Sequence, residues 1–146
     1  MIIDYNFFRM VDHLSLEKRS WNMSRIGSKN TKPELAVRKM LHNSGIRYRL
    51  HAKDLPGKPD LSNKKKKFAV FVNGCFWHQH KGCKRANIPK SNTDYWIPKL
   101  KKNVNRFNEN LDMLDTMGYS TAVIWECEVN DLENNKVLME IASAAK

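Results

Sequence analysis

Cysteine is scarce in this chain of 146 residues, with only Cys75, Cys83 and Cys127 present. So small and odd a number cannot build a disulfide framework and fits a reducing compartment. Long apolar runs are missing too. None approaches the roughly 18 residues of a membrane span, and the stretch Met1–Met10, which carries Asp4 and Arg9, lacks the apolar core of a signal peptide. A cytoplasmic protein without a membrane partner is expected. No linker rich in proline, glycine or serine divides the chain, and no internal repeat is present. The remaining shortage is of negative charge: 15 Asp and Glu face 26 Lys and Arg, for a net +11. Such an excess favours a polyanionic partner, because each cation near a phosphate releases condensed counterions. Charge alone does not separate DNA from RNA, an acidic protein or a membrane surface.

What is present reads as one α/β domain. Residues 1–18 are weakly patterned, an arm or a short helix, and residues 19–146 form the domain, with a helical turn or two at Ser20–Ile26. Thr31-Lys32-Pro33-Glu34 has the form of a capping box, in which threonine caps free amides and the glutamate three residues on reaches back. The helix it opens closes at Ser44-Gly45. Ile46–Leu50 is expected as a strand, Asp54–Pro59 as turns, Asp60-Leu61 as a short strand and Lys64–Lys67 as a solvated hairpin tip. Phe68–Val72 is an apolar strand of the buried kind. Between Thr93 and Met117, Ile97, Leu100, Val104, Phe107, Leu111, Leu114 and Met117 recur at helical spacing. Ser120–Trp125 supplies another buried strand, and Asn130-x-x-Glu133 is expected to cap a last helix towards Ala145. Strands and helices interleave around a mixed sheet.

Two constellations carry chemistry. In Cys75-Phe76-Trp77-His78-Gln79-His80-Lys81-Gly82-Cys83, two thiolates and an imidazole can converge on one ion, and Cys127 follows the next strand. Three sulfurs and one nitrogen make a closed tetrahedral zinc set with no position left for substrate. Spacing alone leaves the choice of histidine open, with His80 nearer Cys83. The second constellation is Leu55-Pro56-Gly57-Lys58-Pro59-Asp60, which puts a carboxylate at a strand start, where its hard oxygens suit Mg²⁺. A Pro-Asp pair is also common in ordinary turns. Lys99, Lys101, Lys102 and Arg106 on the long helix are candidate phosphate contacts, which would set affinity rather than sequence preference.

Taken together, these runs are specific. Leu55–Asp60, Gly74-Cys75-Phe76-Trp77-His78, Asn103-Val104-x-Arg106 and Val123-Ile124-Trp125-Glu126-Cys127, with Arg19-Ser20-x-Asn22-Met23 and the Glu34 helix, resemble the very-short-patch mismatch-repair endonucleases. The resemblance runs from about Arg19 to Val129. It implies a restriction-endonuclease-like mixed sheet flanked by helices and Mg²⁺-dependent nicking of one strand of double-stranded DNA. The implied target is the T of a T·G mismatch left by deamination of 5-methylcytosine. A monomer working beside a cytosine-5 methyltransferase or mismatch-repair proteins is expected.

By position, the resemblance makes Asp60 the Mg²⁺ carboxylate, assisted by the Val72 carbonyl. It makes His78 the general base or a water-orienting histidine, a role that an ordinary imidazole suits at neutral pH, and Glu34 an acidic residue of the active site. It assigns Cys75, His80, Cys83 and Cys127 to structural zinc. Met23, Phe76 and Trp77 become wedges into the duplex beside the mismatch. Well-studied members carry a histidine where this chain has Asn73, and its aspartate partner where this chain has Phe107. Asn73 can hydrogen-bond in the active site but cannot exchange a proton as histidine does. Two other readings stand beside nicking: a zinc-stapled DNA-binding protein with a degenerate active site, and a restriction-type enzyme that cuts unmismatched DNA.

Overall fold

A computed structural model describes residues 15–25 and 29–144. Its elements in chain order are α1 (Leu16–Arg25), α2 (Lys32–Asn43), β1 (Arg49–Leu50), β2 (Leu61–Asn63), β3 (Phe68–Asn73), α3 (Thr93–Thr116), β4 (Ser120–Trp125) and α4 (Lys136–Ala144). Most of the expected N-terminal arm, and Ala145, lie outside the described residues. The strands form one sheet in the order β1-β2-β3-β4, antiparallel across the first two pairs and parallel between β3 and β4. The parallel step needs a crossover, which the polar loop after β3 and the long helix α3 provide.

The alternation of β3 divides the core. Phe68 and Val70 face α2 and α4, packing with Val37, Leu41, Ala122, Ile124, Leu138 and Ile141. Ala69 and Phe71 face the other way, onto Leu114 and Tyr119, with Phe107 and Leu111 partly buried beside them. Helices therefore cover both faces, which is why the strand reads as apolar throughout. Among the described residues no helix is long and apolar enough to cross a membrane.

Several expectations need correction. The strand expected at Ile46–Leu50 pairs only from Arg49, because Ile46 is buried in the core and its amide closes α2 on the Leu41 carbonyl at 3.0 Å. Thr31 caps α2, accepting the Glu34 amide at 3.4 Å. The Glu34 carboxylate, expected to reach back to that cap, is instead buried and engages Arg38 and His51. On α3, Ile97 is half exposed and Trp96 takes the buried place, since the face defined by Leu100, Phe107 and Leu114 returns to position 96. Met117 is also exposed, lying past the last turn of the helix. Asn130 does not open the last helix. Val129–Asn134 is a 3-10 segment broken at Asp131, and Asn135 accepts the Leu138 amide at 2.9 Å to start α4. Lys64–Lys67 forms the expected turn.

Candidate active site and metal centre

The parallel register of β3 and β4 assembles the first cluster. Asn73 lies opposite Trp125, so Cys75 and Cys127, each two residues further on, leave the sheet side by side. The junction is tied twice. The Glu126 amide donates to the Asn73 carbonyl at 2.9 Å, and the Cys75 amide donates to Glu126 Oε1 at 3.0 Å. The loop then returns His80 and Cys83, and one ligand atom from each of the four residues lies within 4.8 Å of the others. His80 Nδ1 is 3.6 Å from Cys75 Sγ and 3.3 Å from Cys127 Sγ. A tetrahedral zinc site with ordinary bond lengths has sulfur–nitrogen edges of about 3.6 Å, so the donor set fits such an ion.

The second histidine nitrogen is also provided for. His80 Nε2 faces Glu128 Oε1 at 3.7 Å, and its ring stacks on Trp125 with centroids 4.2 Å apart. Metal-binding imidazoles are commonly oriented by such a partner on the other nitrogen. Burial pushes the Cys75 thiol up to about 12, so a cation at the cluster is what would make it a thiolate at neutral pH. Cys83 is shifted down, chiefly by a hydrogen bond from the Arg85 backbone.

The antiparallel pairs assemble the second cluster. Leu50 lies opposite Leu61, which sets His51 against Asp60, and the His51 amide donates to the Asp60 carbonyl at 3.1 Å. From the next strand the Val72 amide donates to Asp60 Oδ2 at 2.7 Å. Glu34, only 2% exposed, comes in from α2, and ligand atoms of Glu34, His51 and Asp60 lie within 4.8 Å of one another. Burial raises the Asp60 carboxyl above its ordinary range, opposed by the Val72 hydrogen bond and reinforced by the neighbouring Glu34 charge. Arg38, one helical turn beyond Glu34, pairs with that carboxylate and reaches His51 Nε2 at 3.2 Å.

Sequence reasoning named Asp60 and Glu34 but missed His51 and Arg38. The i,i+4 spacing of Glu34 and Arg38 was the available signal for one of them. Val72 meets Asp60 through its amide.

His78 belongs to neither cluster. Its ring lies edge-on to Phe107, centroids 5.0 Å apart, and its buried Nδ1 has no hydrogen-bond partner. Burial first, then the Arg106 charge, lowers its pKa below the ordinary imidazole value. Position 107 thus touches His78, whereas the resemblance pairs it with position 73. Asn73 is 5% exposed, and its side-chain nitrogen also has no partner.

Phe76 and Trp77 are half-buried on α3. Phe76 meets Trp77 at 5.1 Å and Trp96 at 5.4 Å between centroids, and Trp77 meets Trp96 at 6.1 Å. Lys99 lies over this group, 5.8 Å from the Trp77 centroid, and bonds the Tyr95 hydroxyl at 2.5 Å. Lys102 and Arg106 continue along the helix, exposed to solvent. Met23 falls in α1, and its side chain lies outside what the structure describes.

The chain is also similar to known proteins. The family described as DNA mismatch endonuclease Vsr matches residues 11–85. The chain is 48% identical over 123 residues to type II nicking enzyme V.XorIIP of Xanthomonas oryzae pv. oryzae, covering 84% of this chain and 90% of that protein. It is 46% identical to type II nicking enzyme V.NmeAIP of Neisseria meningitidis, covering 84% and 86%. It is 32% identical to DNA mismatch endonuclease Vsr of Escherichia coli K12, covering 85% and 79%.

Proposed function

The chain belongs to the Vsr family of DNA mismatch endonucleases, and from that premise we propose that it nicks one DNA strand at or beside a T·G mismatch left by deamination of 5-methylcytosine. It is a DNA-nicking phosphodiester hydrolase. The sheet is read as restriction-endonuclease-like, with zinc at Cys75, His80, Cys83 and Cys127 as a structural staple and Mg²⁺ at Asp60. The observation that carries this reading is Asp60 itself. One of its oxygens is fixed by the Val72 amide at 2.7 Å, while the carboxyl is drawn into a cluster with Glu34 and His51.

Mg²⁺ bound by Asp60 and the Val72 carbonyl would neutralise charge on the scissile phosphate. Because the Asp60 side chain is pinned to the neighbouring strand, it needs little reorganisation to do so. His78, assigned as base, has Nδ1 buried without a partner, which leaves Nε2 to take the proton of the attacking water. With Phe107 at its edge, the ring has no carboxylate there to stabilise its charged form. Asn73 lies near the end of β3 with an unpartnered amide nitrogen, a donor for a phosphate oxygen or a water. Phe76 and Trp77 would leave their contacts on Trp96 to enter a base step that a mismatch has already weakened. Met23 is the third wedge. Lys99, Lys102 and Arg106 would hold phosphates along the duplex. In this reading the protein is a cytoplasmic monomer that repairs the lesions of a cytosine-5 methyltransferase.

End-labelled duplexes with and without a T·G mismatch, incubated with Mg²⁺ and resolved by strand, test the specificity. Cleavage confined to the T strand of the mismatched duplex is expected. Equal cleavage of matched DNA would exclude mismatch recognition.

A further inference from the structure

His51 is the residue of the second cluster for which the proposed reaction has no use. It follows β1 in the left-handed backbone region, at φ +48°, and its amide is bound to the Asp60 carbonyl, so its backbone is locked to that of the carboxylate. Both ring nitrogens face carboxylates. Nδ1 is 3.9 Å from Asp60 Oδ1, while Nε2 is 3.1 Å from Glu34 Oε1. The first separation is too long for a hydrogen bond. It is short enough for one ion to reach both atoms, since two bonds of about 2.1 Å span at most about 4.2 Å. The second is a hydrogen-bond distance. Asp60 Oδ1 is also the free oxygen of its pair, since Oδ2 takes the Val72 amide.

We propose that His51 is a direct ligand, through Nδ1, of the cation held by Asp60, and that Glu34 orients it by accepting the Nε2 proton. This deepens the reading of Asp60 as the metal carboxylate and rests on it. Glu34 then acts as a positioning residue rather than a ligand, and its burial and its pairing with Arg38 suit that work. A carboxylate on the far nitrogen fixes the tautomer and ring orientation of a metal-binding histidine. Arg38, already bonded to Glu34 and to Asn30 Oδ1, fixes the carboxylate in turn. Its Nη2 is also 3.2 Å from His51 Nε2, an approach that is no hydrogen bond in this tautomer because both nitrogens carry protons. A site with one imidazole and one carboxylate is no longer an all-oxygen site. It takes a first-row transition ion such as Mn²⁺ more tightly than Mg²⁺, which demands oxygen.

The test uses the purified full chain with Mn²⁺ as the probe. Pulsed electron paramagnetic resonance of the one-to-one Mn²⁺ complex should show modulation from a directly bound imidazole ¹⁴N. His51→Gln and His51→Ala should both lose that modulation, with affinity for Mn²⁺ reduced about tenfold or more. Glu34→Gln should keep the modulation while weakening affinity about 10- to 100-fold. Two His51 variants are used so that misfolding of one, read from its circular dichroism, does not decide the result. Bound Mn²⁺ without nitrogen modulation in the wild type, or modulation that survives in either folded His51 variant, overturns the proposal. Asp60→Asn separates the two readings. If that variant binds Mn²⁺ as the wild type does, Asp60 is not the metal carboxylate and both fail. If it loses Mn²⁺ while His51→Gln behaves as wild type, only the assignment of His51 fails.

Discussion

Trp77→Ala distinguishes a wedge from a core aromatic, because the structure gives the ring an alternative occupation. Trp77 meets Phe76 and Trp96 between centroids at 5.1 and 6.1 Å and has Lys99 over it at 5.8 Å. Two aromatic contacts at about 0.5–1.5 kcal/mol each and one cation–π contact at about 0.5–1 kcal/mol give an upper range of about 1.5–4 kcal/mol. The ring is only partly buried, so the lower half of that range, about 2 kcal/mol, is the expected loss of stability. In a domain of this size it amounts to a fall of about 4–8 °C in Tm, measured by circular dichroism. Insertion into DNA must first give up these contacts, so the stacking gain of about 1–3 kcal/mol per base is realised only where the base step is already weak. Binding measured in Ca²⁺ should therefore weaken more on a T·G duplex than on a matched one. A Tm loss of the expected size with normal binding on every duplex would make Trp77 a core residue, and the wedge assignment would fall.

Other outcomes follow from the same contacts. Metal analysis of protein purified without added zinc should find about one zinc per chain, and a folded zinc-free protein would refute the staple. Cys127→Ser should lower zinc content and Tm together, since the parallel register of β3 and β4 makes Cys127 a neighbour of Cys75. His78→Ala should slow single-turnover nicking by about 10²-fold or more with little change in affinity, and an equal loss of both would point to a misfolded loop. Asn135→Ala should cost about 0.5–2 kcal/mol by removing the cap of α4, whereas Asn130→Ala should leave Tm nearly unchanged in the same melts.

The elements that periodicity marks strongly were legible in the sequence. Phe68–Val72 and Ser120–Trp125 are strands, and α3 begins at Thr93 and ends within a residue of the expected place. The failures fall where pairing or packing overrides local pattern. Ile46 and Tyr48 read as strand residues, but one closes α2 and the other bonds the Arg38 carbonyl. Asn130 read as the cap of the last helix, but the backbone breaks at Asp131 and Asn135 caps α4 instead.

The Cys/His cluster was legible because three of its four residues are close in the chain and the fourth follows a recognisable strand. His51 was not legible. Nothing next to it in sequence is catalytic, and it reaches Asp60 only through the β1–β2 register. The position of Phe107 against His78 depends likewise on how α3 lies over β3, which spacing along the chain does not encode.

The central claim is that cleavage is centred on Asp60, and single-turnover nicking of an end-labelled T·G duplex in Mg²⁺ by Asp60→Asn tests it most directly. The asparagine keeps the shape of the side chain but removes the charge that would hold the cation. Binding in Ca²⁺ should persist or tighten, because a negative charge near phosphate has gone, while nicking should be abolished. Nicking by Asp60→Asn at the wild-type rate would contradict the account and place the metal site elsewhere in the molecule.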